Sequence, residues 1–280
     1  MHFRKQKLKS QQIPKPTRRP TTPFHDQRLE GRSMPSQDKL KLLFRAYKYR
    51  YRVERNEIAF VLENLKPGQN CVDIGAHKGA FTYWMQRRVG PAGHVHAFEP
   101  QPELAEYLSK MKTAFGMNHV TIVHSAVSDQ SGFSRLYRDS ACTPGATLND
   151  RESETANSVV VPLVTLDGYF SQQPACRVDF IKCDVEGHEL EVFQGGCGIL
   201  TEDRPKLLFE CEQRHMSERS MEEVFQYLVS LGYRGWYFKR RNLHSIDSFK
   251  PELNAAPRDS DYVYNFVFLH PMHDAARRAA

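Results

Sequence analysis

Asn70-Cys-Val-Asp-Ile-Gly-Ala-His-Lys-Gly79 is the stretch on which the fold turns. Its first half is a short apolar run that ends in small residues, and Phe81, Trp84 and Met85 follow at helical spacing, so it reads as strand, turn and helix. Further along the chain the same unit returns. Residues 94–99 read as a second strand, 102–115 as a helix, and 120–123 as a third strand. Residues 178–184 and 206–210 add two more strands, with helices at 189–193 and 220–231. Two aromatic-rich segments, 235–239 and 262–269, read as a closing β-hairpin. Upstream, Leu40, Leu43, Tyr47, Tyr51, Ile58, Val61 and Leu62 recur at three- and four-residue steps, the mark of one or two amphipathic helices leading into the fold. The alternation pauses between 133 and 162, where Leu136, Tyr137 and Val159, Val160 and Val161 suggest a β-ribbon around a polar loop at 140–158. The fold class is therefore α/β: a doubly wound, mostly parallel sheet with an antiparallel strand near one edge. In such sheets ligands bind beyond the carboxyl ends of the strands.

Composition narrows the classes. The chain has 280 residues, 40% hydrophobic and 26% charged, and no apolar run approaches the ~20 residues of a membrane-spanning helix. Six cysteines lie scattered without a CxxC pair, and the first residues carry no apolar signal segment. The expectation is a reducing, cytoplasmic setting and no cysteine-based zinc site. The net charge of +6 is concentrated at one end: residues 1–33 carry nine Lys/Arg against Asp26 and Glu30, and the remainder holds 30 basic against 31 acidic residues. A basic, Pro- and Thr-rich leader of this kind is expected to stay unstructured, with a peripheral contact to an acidic partner or membrane surface as its sharper role. The expected divisions are a leader at 1–37, a helical segment at 38–69, the main domain at 70–271 and a tail at 272–280.

Three motifs carry the chemistry. Asp73, Gly75, His77 and Gly79 surround the first turn, where glycines let the backbone bend and approach a ligand. The spacing lacks the three glycines of GxGxxG, and an acid before the first glycine suits a cationic amino-acid group better than a diphosphate. Glu99 ends the second strand about 20 residues past that turn, the interval at which an acid accepts from ribose hydroxyls in nucleoside-binding folds. Lys182-Cys-Asp-Val-Glu-Gly-His-Glu189 closes the fourth strand with Asp184, Glu186, His188 and Glu189. Acids and a histidine packed that densely at a strand end are costly unless hydrogen-bonded or functional. Lesser signals are Ser125, Ala126 and Asp129 after the third strand, placed to meet a base edge, and Glu210 with Glu212 after the fifth. The spacing of His188 and its neighbours is not HExxH, and no metal is expected.

In the order and spacing of these motifs, together with Phe98-Glu-Pro100 and Phe209-Glu210, the chain resembles the FkbM-type methyltransferases of the class I S-adenosylmethionine-dependent superfamily. The resemblance runs from about residue 70 to 212. It implies the seven-stranded methyltransferase sheet, S-adenosyl-L-methionine as cofactor, and O-methylation of a hydroxyl on a small molecule, sugar or glycan. Asp73, Gly75, His77 and Gly79 would then hold the methionine end, with His77 standing where family members often carry Asn. Glu99 would hold the ribose, and Ser125, Ala126, Asp129 and Asp184 would complete the cofactor contacts. Asp184, Glu186, His188 and Glu210 are the candidate bases. An NAD-dependent oxidoreductase shares the Glu99 argument but lacks GxGxxG. An RNA-directed methyltransferase would use the basic leader, and the near-neutral remainder argues against it.

Overall fold

The computed structural model describes residues 35–149, 157–173, 176–216, 219–257 and 259–273. Residues 1–34 of the expected 1–37 leader, the centre of the polar loop and the last seven residues of the expected tail lie outside the described residues, and the first helix begins at Ser36, within that leader. Helix α1 (Ser36–Lys48) runs through a π-helical turn (Tyr49–Val53) into α2 (Arg55–Asn64). Next come β1 (Asn70–Ile74), α3 (Ala80–Val89), β2 (His94–Phe98), α4 (Pro102–Ala114) and β3 (Val120–Val123). The interruption contains β4 (Ala126–Val127), β5 (Gly132–Arg138) and β6 (Asn157–Val164). The pattern resumes with α5 (Leu166–Phe170), β7 (Phe180–Cys183), α6 (Glu189–Gln194), α7 (Cys197–Glu202) and β8 (Lys206–Glu210). Helix α8 (Met221–Ser230), β9 (Arg234–Lys239), β10 (Asn242–Ser245) and β11 (Asn265–Leu269) follow.

The main sheet has the order β10-β9-β11-β8-β7-β1-β2-β3. Strands β3, β2, β1, β7 and β8 are parallel, and β11 inserts antiparallel between β8 and β9. The seven expected strands are all present. Strand β10, which has no apolar alternation and is exposed throughout, extends the sheet to eight by pairing as a hairpin with β9. The expected ribbon is β5 paired with β6, and β4 joins it to make a separate three-stranded sheet.

Both faces of the main sheet are covered, which explains the near-continuous apolar strands. On one face Cys71, Val95, Ala97, Phe180 and Leu208 pack against Leu42 of α1, Ile58 of α2, Trp84 of α3 and Leu108 of α4. On the other, Val72, Ile74, Phe98, Ile181 and Phe209 meet Leu166 of α5, Val192 of α6, Leu200 of α7 and Phe225 of α8. The Trp84 indole N–H donates to the Ala46 carbonyl at 2.9 Å and ties α1 to α3. Helix α8 starts on a capping box, Ser220 with Glu223. Among the described residues no helix is long and apolar enough to cross a membrane.

Gly79 opens α3 in the left-handed region, φ 76°, and an added Cβ would stand 2.8 Å from the Leu108 and Met111 side chains. Where φ is ordinary, Gly→Ala stabilises by restricting the unfolded chain; here the sign reverses. Gly79→Ala should lower the unfolding free energy by roughly 1–2 kcal/mol in urea denaturation, and an unchanged or raised midpoint would contradict this account of the turn.

Candidate functional site

The tips of β1, β2 and β7 are laced together. The Gly75 and Ala76 N–H groups both donate to the Phe98 carbonyl, at 3.0 and 2.9 Å, and the Asp184 N–H donates to the Ile74 carbonyl at 3.0 Å. Gly75 has φ 73°, and a Cβ there would collide with the Asp184 carbonyl. The requirement for glycine is thus both conformational and spatial. Beside this junction opens a cleft, continuous with solvent, at the carboxyl ends of the parallel strands.

Glu99 lines that cleft although only 3% exposed. Its Oε2 accepts the His77 N–H at 2.7 Å and its Oε1 accepts the Gln101 N–H at 2.9 Å, so the carboxyl group is aimed by backbone on both sides. Burial pushes its pKa up to about 7, against the pull of those two amides. His77 lines the cleft with φ 49°; burial lowers its pKa to about 4, and its Nε2 is buried without a hydrogen-bond partner. Ser125 and Ala126 line the same cleft, as do Asp184, Glu186 and His188.

The remaining expected residues lie elsewhere. Asp73 is fully buried beneath the β1 tip and does not line the cleft. Its Oδ2 accepts the Thr82 hydroxyl at 2.5 Å, and Lys182 Nζ stands 3.9 Å from Oδ1. Of the two acids expected to share a grip on one ligand, Glu99 lines the cleft, while Asp73 is buried beneath it with Oδ2 on Thr82 and Oδ1 without a hydrogen-bond partner. Gly79 packs on α4, and Asp129 accepts the Ser128 hydroxyl at 3.1 Å; neither lines the cleft. Glu210 is also off it, and burial followed by the charges of Asp184 and Glu186 holds its carboxyl well above the ordinary range.

Lys182 links these groups, a role its place in the motif did not reveal. Its ammonium is buried, 3.3 Å from Asp184 Oδ2 and 3.5 Å from the Gly75 carbonyl, with the Phe81 ring 5.0 Å away. Burial alone would lower its pKa, but the Asp184 and Asp73 carboxylates raise it and keep the cation in place.

Glu186 adopts φ 55°, and His215 Nδ1 lies 3.1 Å from its Oε2. Burial, then the charge of Asp184, raises the Glu186 pKa, while His215 pulls it down. The other ring nitrogen of His215 lies 3.4 Å from Glu212 Oε1, and Glu212 is forked by Arg214 at 2.7 and 2.8 Å and accepts the Tyr262 hydroxyl. A Cβ on Gly187 would strike the His215 carbonyl, so this close approach also depends on a glycine. Glu186, His215 and Glu212 thus form one cluster. Sequence reasoning missed His215, which lies three residues after Glu212 but far from the motif that holds Glu186. The ligand atoms of the three residues lie within 4.8 Å of one another, a donor set that a divalent cation accepts, although the Arg214 guanidinium already brings positive charge to Glu212. His188 has its Nε2 2.9 Å from the Ser128 hydroxyl, and burial lowers its pKa.

A glycine-turned strand tip, a buried acid aimed from the next strand and carboxyl groups on a third define an α/β nucleoside-binding domain. The sequence pattern of the methyltransferase FkbM domain matches residues 73–234, more than half of the chain, and the chain belongs to that family. Its domain is of the S-adenosylmethionine-dependent methyltransferase class. Among curated proteins it is similar to a protein-L-isoaspartate O-methyltransferase of Ignicoccus hospitalis, 35% identical over 68 residues, 24% of this chain and 32% of that one. It is also similar to methyltransferase sdnD of Sordaria araneosa, 26% identical over 163 residues, 48% of this chain and 62% of that one. The chain thus spans about a third and somewhat under two thirds of these relatives' lengths. Among solved structures it is similar to a methyltransferase FkbM from Methylobacillus flagellatus, at 15% identity and TM-score 0.47, covering 84% of this chain and 56% of that one. Aeropyrum pernix fibrillarin with natively bound S-adenosyl-L-methionine aligns at 12% identity and TM-score 0.43, covering 76% and 74%.

Two predictions follow from the electrostatics. The Glu99 carboxyl is protonated below its raised pKa, and a hydroxyl-donating ligand prefers the ionised form. Affinity for S-adenosylhomocysteine should therefore rise about tenfold between about pH 6 and about pH 8, and Glu99→Gln should bind more weakly with that slope removed. Titration calorimetry reads both, and a flat wild-type profile would count against Glu99. Lys182→Met leaves two carboxylates facing each other without a cation, which should cost about 3–5 kcal/mol in denaturant unfolding; adding Asp73→Asn should restore part of the loss.

Proposed function

We propose that this chain transfers the methyl group of S-adenosylmethionine to a hydroxyl of a small molecule, sugar or glycan. The observation that carries this reading is that Glu99, poised for a ribose, shares one cleft with Asp184 and Glu186. The residues fit the cofactor: a Cβ at 75 would fill the turn, and Glu99 offers an aimed acceptor. In this reading Gly75 and His77 receive the methionine end, Glu99 the ribose, and Ser125 and Ala126 the base. S-adenosylmethionine supplies a methyl group on a sulfonium that is already electrophilic. The domain's main task is then alignment, an effect worth up to about 7–11 kcal/mol for well-oriented reactants.

An alcohol must also lose a proton. Among the four candidate bases, Glu186 is favoured. It lines the cleft, burial makes its carboxylate more basic, and His215 Nδ1 stands 3.1 Å from its Oε2. Asp184 is tied to Lys182, His188 to Ser128, and Glu210 lies off the cleft. Asp184 acts here as a positioning residue that fixes the turn at Gly75. The oxidoreductase alternative falls with membership of a methyltransferase family.

Labelled methyl donor, incubated with protein and fractionated cell extract, should give a base-stable methyl ether by mass spectrometry; an N-methyl product or a base-labile ester would overturn the hydroxyl assignment. Glu186→Gln should lower kcat by about 10²–10⁴-fold with S-adenosylhomocysteine affinity kept. An active Glu186→Gln beside an inactive Asp184→Asn would move the base to Asp184.

A further inference from the structure

The apolar side of α1 is divided in two. Leu42 and Ala46 are buried against the sheet-covering core, as the amphipathic pattern requires. Leu40, Phe44, Tyr47 and Tyr51 form a second ridge that points outward, at 67%, 72%, 45% and 57% exposure. These positions recur at four-, three- and four-residue steps, so they make one stripe. The stripe is held in shape from beneath: Tyr47 meets the Trp84 ring edge-on at 5.2 Å, and the Arg50 guanidinium lies 4.3 Å over the same ring. Exposed Lys41, Lys48 and Arg52 run alongside. Residues 36–53 hold six Lys/Arg and a single acid, Asp38, which already pairs with Lys41 at 3.2 Å.

We propose that this face of α1 and the π-helical turn docks on an anionic lipid surface, with Leu40 and Phe44 entering the headgroup boundary and the flanking cations meeting the lipid charges. An apolar ridge with aromatics and basic flanks is the pattern of a helix lying in a membrane interface. Charge decides the occupant. A second copy would bring an equally cationic face against this one, and residues 1–33 carry a net +7 of the same sign. Only an anionic partner complements it. The convex Leu40–Phe44 ridge favours hydrocarbon over stacked bases, which need flat aromatic platforms. The inference is independent of the methyl-transfer reading, because none of these residues lines the cleft.

The test is cosedimentation of the full chain with phosphatidylcholine vesicles, with and without phosphatidylglycerol. Binding should require the anionic lipid. Leu40→Ser with Phe44→Ser leaves every charge in place and should weaken partitioning at least about tenfold. Lys41→Gln with Lys48→Gln should weaken it roughly 30-fold, at about fivefold per basic residue. Unchanged thermal unfolding and S-adenosylhomocysteine affinity establish that the variants are folded. Absence of binding by folded wild type overturns the proposal, as does binding that the Leu40/Phe44 pair leaves undiminished, since charge alone would then account for it. Self-association in sedimentation velocity, or binding of single-stranded RNA, that is lost with the Leu40/Phe44 substitutions while vesicles are ignored would overturn it in favour of those partners.

Discussion

The structure depends on one buried cation. Lys182 reaches back under the strand tips to stand between Asp73 and Asp184, close to the Gly75 carbonyl. A buried ion pair is weak evidence for stability as such, because desolvation offsets the attraction. Its consequence here is geometric. It allows two carboxylates to sit at adjacent strand ends, Asp73 fully buried and Asp184 partly open, without repelling the tips of β1 and β7 apart. The missing Cβ at Gly75 then lets those tips close to direct contact. Every cleft residue is placed relative to that junction.

From it the electrostatics divide. On the β2 side, Glu99 is buried and held by two backbone amides, a rigid acceptor whose ionisation is finely balanced near neutrality. On the β7 and β8 side acids accumulate. Glu54, pushed up to about 8 by burial and then by Glu57 and Asp184, bonds with Glu57 to Asn265 of β11, and Glu186, Glu210 and Glu212 complete the group. Burial raises proton affinity at Glu210, whereas at Glu212 the contacts of His215, Arg214 and Tyr262 outweigh burial and lower it. The two sides of the junction thus differ: a single carboxyl group held by backbone amides on one, a cluster of acidic side chains on the other.

The outward ridge of α1 illustrates the same divergence between local pattern and context. Leu40 and Leu43 belong to one helical repeat in the sequence, yet Leu43 is half-buried against the core and Leu40 faces solvent. Periodicity reports that a helix has an apolar side. It does not report how much of that side the rest of the molecule covers.

The sequence by itself determined the alternation of strands and helices, because strands covered on both faces must be apolar throughout and helices must repeat at 3.6 residues. It also determined the glycine turn at Gly75 and the placement of Glu99, since both follow from short-range spacing. Only the tertiary structure decided that Asp73 is buried against Thr82 and Lys182, that β10 adds an eighth strand, and that His215 comes beside Glu186. These are contacts between residues distant along the chain or hidden beneath a strand end. A side chain's chemistry is written in its residue type, but whether it faces a ligand or a neighbour is set by what the fold packs against it.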